Sequence, residues 1–199
     1  MAGRPRTFDE DAMLEAAMRR FWLCGYAGTR LDDVAAEAGV TKPSLYLAFG
    51  GKDALYEKAL SRYASKYTEK LHEAFDAAPS LSAAVEAYFR FIASVLTDDA
   101  YPKGCLRVRA IAELSSDNPD LAAAAVRHRR ASRDALLKRF SAELEDPDRA
   151  ENLADLVVML GEGLALTAKA GATKRQIHKH AAYAAGVIGA SLIREKDLS

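Results

Sequence analysis

The stretch RLDDVAAEAGVTKPSLYLAFGGK, residues 30–52, decides the fold. Leu31, Val34, Ala35 and Ala38 recur at helical spacing and stop at Gly39, which predicts one short helix. Thr41 is a good N-cap for the next, Pro43 is tolerated in its first turn, and Leu45 and Phe49 lie one turn apart on a face to be buried. Gly50-Gly51 then breaks the chain. A helix of about seven residues is not stable alone, so its exposed face must have a use. The tight Gly39-Val40 turn between the two helices has helix-turn-helix spacing, in which the second helix enters the major groove of DNA.

Outward from this stretch the sequence reads as helix on both sides. Leu14, Ala17, Met18 and Phe21 predict a first helix over about 9–23, capped at Asp9 and ended by Gly25. A long helix is expected over 52–77, and further helices over 80–97, 105–116, 119–145, 149–171 and 174–195. The breaks between them fall at punctuating residues such as Pro79, Pro102-Lys103-Gly104, Asn118-Pro119, Asp146-Pro147 and Gly171. No alternating Val/Ile/Thr run is bounded by turn residues, so strands are not expected. The reading is an all-α chain of about nine helices in two domains: residues 1–51, a helix-turn-helix domain with a short basic arm, and residues 52–199, a helical domain for effector binding and dimerisation.

Composition narrows the function. Lys plus Arg and Asp plus Glu are equal at 28 each, which excludes a polybasic coat for nucleic acid but not a small site with a few placed cations. Between Gly39 and Gly51 the one charged side chain is Lys42, so any positive field there is local. The basic start lacks an apolar run behind it, and residues 181–193 are too short an apolar stretch to span a bilayer, so a reducing cytoplasm is expected and no membrane partner. Two distant cysteines make neither a disulfide framework nor a zinc cluster. His178 and His180, two apart on a helix, point in nearly opposite directions; with His72 alone and His128 inside a basic run, no metal site is expected. The sequence holds no Gly-x-Ser-x-Gly elbow, phosphate loop, dinucleotide fingerprint or His-Glu-x-x-His, and no cofactor or enzyme activity is expected.

With Leu45 and Phe49 turned inward, Lys42, Pro43, Ser44, Tyr46, Leu47 and Ala48 are left for DNA. Lys42 and Ser44 can donate to base edges or phosphates, and Pro43 and Leu47 suit a thymine methyl. The Tyr46 hydroxyl and Lys52 at a helix start suit phosphate oxygens. Gly25-Tyr26, Thr29, Val34-Ala35, Ala38 through Lys42, Ser44-Leu45-Tyr46, Phe49, Lys52 and Leu55 together resemble the DNA-binding domain of the TetR/AcrR family of one-component repressors. The resemblance covers the first 55 to 60 residues without a gap. It implies a homodimer on double-stranded operator DNA, a small-molecule effector in the C-terminal helices, and DNA contacts at Thr41, Lys42, Pro43, Ser44, Tyr46, Leu47 and Lys52. Where the family opens its second helix with a small hydroxyl residue, this chain has Arg30, so the cap is expected to move to Thr29 and free Arg30 for a phosphate. Arg4 and Arg6 flank Pro5 ahead of the domain, and two readings stand: a minor-groove arm, or a solubilising tail.

The C-terminal half is less specific. Gly161, Ala165, Ala182, Ala185, Gly186 and Gly189 are small residues at close-packing intervals on the last two helices; they suit a symmetric dimer interface, or close packing within one chain. Tyr63, Tyr67, Phe91 and Tyr101 fall on elements expected around the effector. Cys105 follows a Pro/Gly break with Lys103, Arg107 and Arg109 nearby, a setting that favours a reactive thiol. The segment through Glu113-Leu114 resembles that of family members whose cysteine senses electrophiles or oxidants, and the resemblance matches Lys169 to a lysine that tunes the thiol there. The alternative is a cysteine that only packs. A helix-turn-helix activator or architectural protein without an effector is the competing reading of the whole chain.

Overall fold

The computed structural model describes residues 6–193, with side chains from Glu10 to Leu192. Arg4 and the side chain of Arg6 lie outside these. Ten α-helices follow in order: α1 (Arg6–Gly28), α2 (Leu31–Ala38), α3 (Lys42–Phe49), α4 (Lys52–Tyr63), α5 (Lys70–Asp76), α6 (Leu81–Leu96), α7 (Leu106–Leu114), α8 (Pro119–Glu143), α9 (Pro147–Lys169) and α10 (Lys174–Ile193). Among the described residues there is no strand, and the fold is all-α as expected. The single helix expected over 52–77 is α4 and α5 joined through a π-helical segment, Ala64–Glu69. No Pro or Gly marks that widening. The helix expected to start from an Asp9 cap instead begins at Arg6, with Asp9 inside it.

The helices gather into two compact units. One runs through Lys66 and takes in Leu106–Arg127; the other holds Tyr67–Cys105 and the chain from His128. The first therefore includes α1 to α4 and also α7, which packs on α1 and α4. Its core is Met18, Phe21, Trp22, Leu45, Leu55, Tyr56 and Leu60, each no more than 2% exposed. Aromatic edges lock it: Phe21 meets Tyr56 at 4.7 Å and Trp22 meets Tyr63 at 5.0 Å between ring centroids.

In the second unit α6 is central, packed on α5, α9 and α10. Its stripe Leu81, Ala84, Val85, Tyr88, Phe89, Ala93 and Leu96 is buried at i, i+3, i+4 spacing. Ser80 caps it by accepting the Ala83 amide at 3.3 Å. Asp146 caps α9 from both Asp148 N and Arg149 N, with Pro147 in the first turn. The end of α5 is held by Arg139 of α8, whose guanidinium donates to the carbonyls of Phe75 and, at 2.7 Å, Ala78. Among the described residues no helix is long and apolar enough to cross a membrane, and no cluster of three or more His, Cys, Asp or Glu could hold a metal ion.

An ion-pair network ties α4 to α1. Arg62 donates to Asp11 at 2.7 Å and to Glu15 at 2.9 Å, and Lys66 reaches Glu15 at 2.7 Å. The Arg62 hydrogen bond holds the Asp11 carboxyl below its ordinary value. Burial pushes Glu15 up, but the bonds from Lys66 and Arg62 outweigh it and leave that carboxyl below its ordinary 4.5. A folded-state value below the unfolded one stabilises at neutral pH, and the contribution is lost as pH falls through the depressed value. Glu15→Gln should cost about 1 kcal/mol at pH 7 and far less near pH 3. Denaturant unfolding followed by Trp22, the chain's one tryptophan, reads this; an equal gap at both pH values would contradict it.

Candidate nucleic-acid interface

The helix-turn-helix forms because the turn's backbone groups find partners in α2. Gly39 adopts a left-handed φ of 67°, and its amide bonds the Ala36 carbonyl at 3.2 Å. The next amide, of Val40, reaches back to Ala35 at 2.9 Å. A side chain at position 39 would be strained in that conformation. The reversed chain then enters α3 through Thr41, whose Oγ1 accepts from Ser44 N at 3.4 Å and lies 2.9 Å from Ser44 Oγ. Thr41, expected among the DNA contacts, thus has its hydroxyl engaged as the cap of α3.

One face of α3 is inside and the other outside. Leu45 and Phe49 are 2% and 7% exposed, while Leu47 is 77% and Tyr46 48% exposed. Pro43 is exposed on the first turn, and Lys42 and Ser44 are half-buried beside it. Lys42 is paired in the free chain: its ammonium donates to Asp32 of α2 at 3.0 Å. That hydrogen bond lowers the Asp32 carboxyl below its ordinary value.

Arg30 is the N-cap residue of α2, with extended backbone and no side-chain cap. The cap does not move to Thr29. The Thr29 hydroxyl is buried and donates at 2.6 Å to the Gly25 carbonyl, closing the end of α1. Arg30 is exposed.

Lys52, the first residue of α4, sets its ammonium 4.4 Å from the Tyr26 ring centroid. The Tyr26 hydroxyl donates to Asp53, the second residue of α4. Burial, then Asp53, pushes the Tyr26 phenol up to about 12. Tyr26 therefore joins the end of α1 to the start of α4. Sequence reasoning noted Tyr26 within the family pattern but gave it no role, and no spacing rule would have paired it with Asp53.

The residues expected near an effector divide between the units. Tyr67 and Tyr101 do come together, edge to face at 5.5 Å. Phe91 and Cys105 are half-buried against the core of the same unit. Lys169 lies beside Gly104: a Cβ added there would sit 3.3 Å from the Lys169 Cβ. Tyr63 instead belongs to the core of the first unit, against Trp22. Arg109 also belongs there, donating to the Leu23 carbonyl at 3.2 Å. Neither Cys24 nor Cys105 is in a disulfide.

Four of the six small residues expected at a dimer interface face inward. Gly161 lies against Ile92 and Tyr88, Gly189 against Ser82, and Ala165 and Ala185 are 4% and 7% exposed. Their smallness serves close helix approach within one chain. Ala182 and Gly186 are exposed. The outward apolar residues of these helices are larger: Leu156, Met159 and Leu166 on α9, and Tyr183 and Val187 on α10.

Comparisons with known proteins agree with this arrangement. Residues 13–59 match the family model for bacterial regulatory proteins of the tetR family, and residues 82–183 match that for the C-terminal domain of LmrA/YxaF-like transcriptional regulators. The HTH-type transcriptional repressor ComR of Escherichia coli K12 is 33% identical over 183 residues, 88% of this chain and 86% of that protein. The repressor BdcR of the same organism is 26% identical over 187 residues, 94% of this chain and 92% of that protein. A cysteine-substituted form of the TetR-family regulator CifR, solved with a 26-bp double-stranded operator DNA, superposes with a TM-score of 0.78 at 29% identity, covering 92% of this chain and 98% of that one. The two matched segments, the near-complete overlap with a repressor and the exposed face of α3 place the chain in the TetR family of helix-turn-helix proteins, as a DNA-binding transcriptional regulator and not an enzyme.

Proposed function

We propose that the protein is a homodimeric repressor that holds a palindromic operator through the outward face of α3 and releases it when an effector acts on its C-terminal half. The observation that carries this reading is α3, which buries Leu45 and Phe49 and presents Pro43, Tyr46 and Leu47 to solvent. Leu47 and Pro43 suit a thymine methyl, Lys42 and Ser44 suit base edges, and the Tyr46 hydroxyl and Lys52 suit phosphates. Arg30, exposed and not engaged in capping, suits a flanking phosphate. Lys42 exchanges Asp32 for DNA on binding, so the free chain offers little bare charge there and non-specific affinity is modest. Arg4, ahead of α1 in sequence, and Arg6, its first residue, suit an adjacent minor groove.

The dimer reading rests on the apolar stripe Leu156, Met159 and Leu166, at i, i+3, i+10 on α9, together with Tyr183 and Val187 one turn apart on α10. These residues are 37% to 75% exposed, and a second copy of the same stripe is the occupant that would cover them symmetrically. Two recognition helices then stand about 34–36 Å apart, one helical turn of DNA. An effector that prefers another spacing shifts the population off the operator.

Cys105 is the candidate sensing group. It stands one residue before α7, and its neighbour Gly104 packs on the stem of Lys169. A lysine whose stem packs on the glycine next to Cys105 supports the sensor reading over plain packing. A non-covalent small molecule beside Tyr67 and Tyr101 is the other source of release.

Fluorescence-anisotropy titration of the protein's own upstream intergenic DNA tests both halves. Tyr46→Phe should weaken binding to all operator variants alike, by about tenfold or less, while Lys42→Ala and Ser44→Ala change which base substitutions are tolerated. Equal, uniform losses from all three would contradict the assignment. Under a mild thiol oxidant, wild type should leave the DNA and Cys105→Ser should stay. If both stay bound, the thiol is not the sensor and the effector is a non-covalent ligand.

A further inference from the structure

Gly25 breaks α1 without ending it: at φ 78° and ψ 179° its backbone is not helical, yet the chain resumes a turn through Gly28. In an unbroken helix the Ala27 amide would bond the Leu23 carbonyl. Here each has a side-chain partner from α7. Glu113 Oε1 accepts from Ala27 N at 2.8 Å, and Oε2 accepts from Tyr26 N at 3.2 Å. Arg109, one turn earlier on α7, donates to the Leu23 carbonyl at 3.2 Å and lies 3.5 Å from Glu113. The ion pair is thus spliced into the missing helical hydrogen bond. Gly25 makes room for it, since a Cβ there would overlap the Glu113 carboxylate and lie 2.7 Å from Arg109 Nε.

What the splint holds is Tyr26. Its ring is edge-on to Tyr56 at 5.2 Å, its hydroxyl bonds Asp53, and Lys52 sits over its face. Lys52 and Asp53 open α4, two glycines after α3. A line of contacts therefore runs from α7 through the α1 break to the corner between the recognition helix and α4, all within the first compact unit.

We infer that Glu113, with Arg109, is a positioning residue for operator binding: the pair splints the Gly25 break, fixes Tyr26, and through Tyr26 sets the Lys52 ammonium for its phosphate. The inference rests on the operator reading of Lys52 given above.

The test is a double-mutant cycle of Glu113→Gln and Lys52→Ala, titrated against the upstream intergenic DNA across a range of salt, with Trp22 emission as the check that the unit is folded. Glu113→Gln should weaken binding about tenfold, the size of one lost charge-assisted hydrogen bond. Its salt slope should be shallower by about 0.9, one phosphate contact. In the Lys52→Ala background the same change should cost less than about threefold, because the group it positions is gone. Equal losses in both backgrounds, or an unchanged salt slope, overturn the inference. A Glu113→Gln protein without native Trp22 emission is replaced in the cycle by Glu113→Asp, judged by the same outcomes. Wild type that forms no specific complex overturns the operator reading itself; wild type that binds while Glu113→Gln binds equally overturns the splint alone.

Discussion

An eight-residue helix in water loses more in conformational entropy than its few backbone hydrogen bonds return. α3 exists because Leu45 and Phe49 are buried where it packs on α2 and α4, and because Gly39 and Thr41 satisfy the backbone at its entrance. Everything functional about the head follows from that dependence. Two buried side chains orient the helix, so the remaining positions face outward together and in a fixed register. Removing either anchor would tilt Tyr46 and Leu47 along with the helix, with no change at the exposed face itself.

Charge in the head is arranged to be local and exchangeable. Lys42, the one cation on the recognition segment, is held by Asp32 across the turn, and Arg62 and Lys66 are spent on Asp11 and Glu15. Lys52 is placed over an aromatic face, which orients the ammonium without neutralising it. A chain with equal numbers of acidic and basic residues can still present a few cations where phosphates would lie. Surface pairs such as Lys42–Asp32 contribute little stability, so exchanging one for a phosphate costs little.

The parts legible in the sequence were those governed by local rules. Helical periodicity, Gly39 in the turn, Thr41 as a cap and the breaks at Gly25 and Asp146-Pro147 each depend on residues a few positions apart. What escaped depends on contacts between distant segments. Arg109 and Tyr63 fell on helices expected near an effector, but their partners, Leu23 and Trp22, are far away in sequence and draw them into the head. Gly161 and Gly189 announced a close approach without saying to what; the answer was Tyr88, Ile92 and Ser82 of the same chain. The larger outward residues, Leu166 and Val187, mark the face that is left over. The π-helical turn at Ala64–Glu69 has no breaker to signal it, and Arg30 in place of a hydroxyl left α2 without a side-chain cap.

Hydroxyl-radical footprinting of the wild-type protein on its own upstream intergenic DNA addresses the central claim most directly. Two protected half-sites related by a two-fold axis, their centres about one helical turn or a simple multiple apart, are the expected result for a dimer bearing two copies of α3. A single unsymmetrical patch of protection, or uniform protection without a preferred sequence, would contradict it.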